Sequence, residues 1–176
     1  MKVFKDVFTG DELMSDSYKH QAPFGDESLA DVAFEVEAKR VSKGGEDFGV
    51  AANVDEDAGE GATADGGEAA EMVIDIVDGF KLCETGFSKK DFGVYIKAYM
   101  QRVKKYLEEN NPDRVEKFMA GAQALVKKFL GMFDDLQFFM GESMDSEAGM
   151  VYAYYGDGKE APTCVYFIDG LKEEKY

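Results

Sequence analysis

FSKKDFGVYIKAYMQRVKKYLEENNPDRVEKFMAGAQALVKKFLG, residues 87–131, is written in two helical periods separated by a breaker. Ser88 stands where an N-cap is wanted, with Asp91 three residues on, a capping-box-like start. Phe92, Ile96, Tyr99, Val103 and Leu107 then recur at spacings of three and four, which places them on one helical face. EENNPDR interrupts the run: Asn111 can cap a second helix, and Pro112 suits its first position, where no N–H is needed. Val115, Phe118, Met119, Ala122, Leu125, Val126, Phe129 and Leu130 continue as a broad apolar stripe that stops near Gly131. So short a linker joins the helices as an antiparallel hairpin, over about residues 88–131.

Around the hairpin lie strand-like runs. VFKDVF, DVAFEVEAKRV, EMVIDIV, LQFFMG, GMVYAYY and TCVYFID are β-branched or aromatic and bounded by Gly, Asp or Pro. Val32, Phe34 and Val36 alternate with polar neighbours, the period of a half-buried strand. GDG in YYGDGKEAPT marks a turn between the last two runs as hairpin partners. Strands, then a helical hairpin, then strands again imply an α+β fold with a mainly antiparallel sheet. At 176 residues the chain is expected to form one domain, 1–176.

Charge is unevenly spread. Residues 89–128 carry +5, which leaves −21 for the rest of a chain whose formal charge is −16. A basic element on an acidic body is implied, and phosphate repulsion argues against nucleic acid as the main partner. Residues 44–71 hold nine Asp or Glu, seven Gly and no Lys or Arg, so a disordered acidic loop over about 44–70 is expected. Two isolated cysteines, an N-terminus charged from Lys2 and the lack of a long apolar run suit a soluble cytoplasmic protein with no transmembrane segment.

Sites for chemistry are few. DEDAGE crowds acids together, and Asp55, Glu56 and Asp57 are the candidate calcium ligands. Gly59 and Glu60 break the EF-hand pattern, so weak, exchangeable binding is expected, against a plain solvated tether. His20 reads as a solvent-exposed loop histidine, Cys164 as a buried small hydrophobe, and Cys83 has no activating motif. No catalytic residues and no organic cofactor are assigned. Lys97, Arg102, Lys104 and Lys105 fall mostly off the apolar face of the first helix and suit an acidic partner, such as tubulin tails or an acidic membrane, or else a merely solvated surface. Asp11, Glu12 and Asp16 cluster in DELMSDSYK, read as a turn between strands.

FDDLQFFMGESMDSEAGMVYAYY, DIVDGFKLCETGFSKKDFGVYIKAYM, RVEKFMAGA, DELMSDSYK and the ending DGLKEEKY together resemble the translationally controlled tumour proteins, along nearly the whole chain. That resemblance implies a distorted β-sandwich or barrel-like sheet, similar to the Rab guanine-nucleotide-free chaperones, with a projecting hairpin and a long acidic loop. It also implies a non-enzymatic regulator of growth and cell survival that binds calcium and microtubules. A role in guanine nucleotide exchange on a small GTPase of the Rheb type is implied at Glu12, with Asp11 beside it. Asn53 of the family's loop signature is kept, but Asp55 stands where Ser is usual, and Tyr176 replaces a terminal Cys, so a disulfide dimer through that end is excluded and a monomer is expected. An acidic chaperone without a defined site, or an enzyme like the similar-fold methionine sulfoxide reductases, are the alternatives.

Overall fold

The computed structural model describes residues 1–42 and 72–175. Ten strands occur among them: β1 Lys2–Asp6, β2 Glu12–Ser15, β3 Ala33–Glu37, β4 Arg40–Ser42, β5 Met72–Ile74, β6 Cys83–Thr85, β7 Gln137–Met140, β8 Val151–Tyr154, β9 Thr163–Phe167 and β10 Leu171–Lys175. A one-turn helix α1, Asp75–Gly79, precedes β6, and the hairpin is α2, Lys89–Asn110, and α3, Val115–Gly131. The strands form a five-stranded sheet in the order β3-β9-β8-β7-β6, a three-stranded sheet β10-β1-β2 and a two-stranded ribbon β4-β5. Every pairing is antiparallel, so the fold is α+β as the sequence implies.

Two apolar layers sandwich the five-stranded sheet. Phe138, Tyr152, Val165 and Phe167 face the hairpin and pack with Phe92, Phe118, Leu125 and Phe129. Phe139, Val151, Ala153, Cys164 and Tyr166 face the other way, against Leu13, Met14, Ile76 and Leu82. Strands buried on both faces read as unbroken apolar runs, which is why all five residues of β9 are buried. Each fully buried Phe here contributes roughly 2–3 kcal/mol by removal from water.

At the hairpin, Ser88 Oγ accepts from the Asp91 N–H at 3.0 Å, the expected cap. Asn111 differs from expectation: its side chain caps nothing, and its own N–H donates back to Leu107 O. Pro112–Arg114 form a single 3₁₀ turn instead, which turns the chain sharply enough without a cap.

Other local expectations change as well. ELMS is a strand rather than a turn, because Leu13 and Met14 are both buried, and the real turn precedes it at Val7–Gly10. DVAFEVEAKRV divides into β3 and β4, which pair with different partners. EMVIDIV ends as a helical turn, where the Asp75 carboxylate accepts from the N–H groups of Ile76 and Lys39. β6 and β10, short or strongly charged edge strands, carry too little apolar pattern to be read in advance.

Candidate functional site

The β1–β2 turn is braced from within and from outside. Gly10 adopts φ +80°, a left-handed conformation that glycine takes without strain. Asp6, only 3% exposed, accepts from Phe8 N–H at 3.1 Å, Thr9 Oγ at 3.1 Å and Gly149 N–H at 3.2 Å. Burial raises its pKa, partly offset by those three donors. Asp11 Oδ2 accepts from the Ser143 N–H at 3.1 Å and Ser143 Oγ at 2.6 Å. A Cβ on Gly141 would lie 2.5 Å from Asp11 Oδ2, so glycine is what admits this close approach. Glu12 opens β2 directly after Asp11, opposite Lys5 in register. It is exposed, and no ion pair reaches it among the described residues.

Of the four basic residues singled out on α2, one reaches this turn. Lys97 and Lys105 are exposed and Lys104 half-buried, all on the outer side of α2. Arg102 lies about 140° round the helix from Lys97, given 3.6 residues per turn. Its guanidinium stacks 4.1 Å from the Phe8 ring centroid, and Nη1 donates to Glu147 O at 2.5 Å. Phe8 also meets Tyr99 and Tyr106 edge-on. The structure therefore groups Lys97, Lys104 and Lys105 as an outward face. It joins Arg102 to the acidic turn and to the 141–149 loop.

Neither cysteine is set up for paired redox chemistry. Cys164 is buried in β9, and burial pushes its thiol up to about 12, far above the range of a reactive thiolate. Cys83 lies in β6, three strands across the sheet, or about 14 Å at the usual strand spacing. A disulfide needs Cα atoms within about 7 Å. His20, expected in solvent, is half-buried: its ring stacks on Phe34 at 4.0 Å with 4° between planes. Asp55, Glu56 and Asp57, and the whole expected acidic loop, lie outside the described residues. Among the described residues no group of three or more His, Cys, Asp or Glu is placed to hold a metal ion. No described helix is long and apolar enough to cross a membrane.

Sequence reasoning singled out Asp11 and Glu12 but missed what positions them: Asp6, Phe8, Gly141 and Ser143. Thr9-Gly10-Asp11 is itself a turn signal. Nothing local marks Ser143, which lies 132 residues from its partner.

Comparison with known proteins agrees with this architecture. The sequence pattern of the family described as translationally controlled tumour protein matches residues 1–172. Homologues of that protein from Plasmodium chabaudi chabaudi and Theileria annulata are 52% and 45% identical over 176 residues, covering all of both chains. The Saccharomyces cerevisiae homologue is 42% identical over 99% of each chain. Among solved structures, the tumour-associated protein of Schizosaccharomyces pombe superposes with a TM-score of 0.75 at 36% identity, covering 100% of both chains. The Caenorhabditis elegans protein gives 0.62 at 30% identity, over 100% of this chain and 99% of that one. With the matched pattern spanning nearly every residue and the same fold in solved relatives, this chain belongs to the translationally controlled tumour protein family.

Proposed function

We propose that the chain is a non-enzymatic regulatory binding protein of the cytoplasm with two protein-binding surfaces of opposite charge. Glu12, with Asp11 behind it, engages a small GTPase of the Rheb type, and the outward lysines of α2 engage the acidic tails of tubulin. Calcium binds weakly through acids of the 44–71 segment, with Asp55, Glu56 and Asp57 as ligands. The observation that carries the GTPase contact is the bracing of the turn. Asp6, Asp11 and Gly141 fix the backbone that presents an exposed carboxylate without an ion-pair partner among the described residues. A carboxylate held this way needs little ordering on binding and competes with nucleotide phosphate for magnesium or the phosphate-loop lysine. Tubulin binding rests on Lys97, Lys104 and Lys105 sharing one face, where charge complementarity speeds encounter and sets register.

Two variants against two partners test this assignment. Glu12→Val is expected to weaken the GTPase at least tenfold and leave tubulin binding within twofold. Lys97→Glu with Lys105→Glu is expected to do the reverse. Tubulin binding is also expected to fall steeply with salt, since exposed charges are screened within about 8 Å at physiological ionic strength. Loss of both activities in one folded variant would show a single shared surface and end the division.

A further inference from the structure

We propose that Ser143 is a phosphorylation site for an acid-directed protein kinase, and that its phosphoryl group unlatches the β1–β2 turn from the loop after β7. Residues 142–147 are all exposed and belong to no helix or strand. Glu142, Asp145 and Glu147 surround Ser143 and Ser146, and the ion pair from Lys81 to Glu142 at 3.7 Å leaves the segment strongly negative. A kinase with a basic substrate groove is the complement of such a segment. Met144, next in the chain, holds φ +57° and is 58% exposed. A non-glycine residue stays in that region only where its surroundings hold it. Two hydrogen bonds from Ser143 to Asp11, one residue away, are part of that hold.

In the transfer, Ser143 Oγ attacks the γ-phosphorus of ATP and forms the new O–P bond. The bond from that phosphorus to the β,γ-bridging oxygen breaks, ADP leaves with the electron pair, and the hydroxyl proton passes to the kinase's catalytic carboxylate. Phosphoserine carries close to two negative charges at neutral pH and no hydroxyl proton to donate. It would then face the Asp11 carboxylate across a contact that was 2.6 Å long, with Glu142 and Asp145 nearby. Both nearby cations are engaged, Arg102 with Phe8 and Glu147 O and Lys81 with Glu142. The latch therefore opens. Asp6 keeps its bond to Gly149 N–H, so release is confined to residues 9–12 and 141–147. Weakening of the GTPase contact by phosphorylation rests on the function proposed above; the latch itself does not.

The test uses the full chain in two arms. It is incubated with a casein-kinase-type acid-directed kinase and magnesium-ATP and mapped by mass spectrometry. Separately, phosphoserine is placed at 143 by genetic incorporation and amide exchange is measured. Phosphate is expected at Ser143 and absent from Ser143→Ala. Exchange at residues 9–12 and 141–147 is expected to quicken at least tenfold while β8 and β9 stay unchanged. Asp11→Asn, which removes the charge but keeps an acceptor, should cut that acceleration to less than threefold. Phosphate on Ser146 or elsewhere but not on Ser143 would overturn the site. Unchanged exchange in the phosphoserine protein would overturn the switch. Faster exchange with unchanged GTPase binding would support the switch and count against the Glu12 contact.

Discussion

His20 is the only histidine, and its surroundings make it a probe of folding. Burial between Phe34 and Phe4 lowers its pKa from 6.5, against the opposing pull of Ser15 O and Asp16. The unfolded chain therefore takes up the proton first as pH falls. Stability due to the neutral ring is complete above about 6.5 and is lost as pH drops toward the lowered folded value. Asp6 works with the opposite sign: its folded pKa is raised, so its contribution falls as pH rises above the unfolded value. His20→Phe, which keeps the stack without the titration, is expected to flatten the stability slope just below pH 6.5 in urea titrations. A slope equal to that of the parent would assign the effect elsewhere. Gly170 gives a second residue-level prediction. A Cβ there would fall 1.9 Å from Tyr99 Oη, on a ring already fixed by Phe8, Tyr95 and Phe167. Gly170→Ala should cost about 2–3 kcal/mol by overpacking, while Gly79→Ala, with open space, should cost little, both read by thermal melting. Neither environment was legible in the sequence. The partners of His20 and Gly170 come from strands and helices distant along the chain, and burial of a single polar residue leaves no periodic trace.

At the level of elements, the hairpin is fastened to the sheet by an ion pair at its tip. Arg114 donates Nε and Nη2 to Asp169 at 3.0 and 2.7 Å, and Nη2 also donates to Asp31 O at 2.7 Å. The Asp169 side chain is only 6% exposed, so removing its partner strands a desolvated carboxylate. Arg114→Ala is expected to destabilise by about 3 kcal/mol, and Arg114→Ala with Asp169→Ala by clearly less, because the stranded charge is gone. Equal losses in urea unfolding would mean the pair adds nothing beyond packing. The hairpin itself was readable because about eleven turns of amphipathic spacing leave no competing period. Central strands β7, β8 and β9 were readable as apolar runs. β2, β6 and β10 were not: β2 buries consecutive residues at an edge, β6 is three residues long, and β10 is nearly all charged. For the same reason the acidic turn was seen as a cluster of acids but misplaced, since its position depends on a strand that the sequence does not announce.

For the whole molecule, charge decides more than packing. Residues 44–71 contribute −9 of the formal −16, so the rest of the chain carries −7. The described residues on either side of it, Ser42 and Met72, are register partners in the β4-β5 ribbon. A two-residue Asn-Gly turn joining such partners suits an antiparallel hairpin. Loop-closure entropy changes only by about 0.6 kcal/mol for each doubling of length, so shortening the connection favours the fold slightly. Removing nine acids also relieves self-repulsion of a strongly negative chain. Replacing residues 43–71 by Asn-Gly, which leaves two residues between Ser42 and Met72, is therefore expected to leave the melting temperature unchanged or a few degrees higher. Calcium titration of the same variant tests the proposed ligands. The parent should bind with sub-millimolar or weaker affinity, as expected of an incomplete oxygen cage, and the shortened chain should bind at least tenfold more weakly. In the full-length chain, Asp55→Asn with Glu56→Gln and Asp57→Asn should reproduce most of that loss if those three side chains are ligands. If the triple variant binds as the parent does while the shortened chain does not, the segment acts by its summed charge. If the shortened chain still binds fully, the ion sits on carboxylates of the folded body and the assignment to Asp55, Glu56 and Asp57 is wrong.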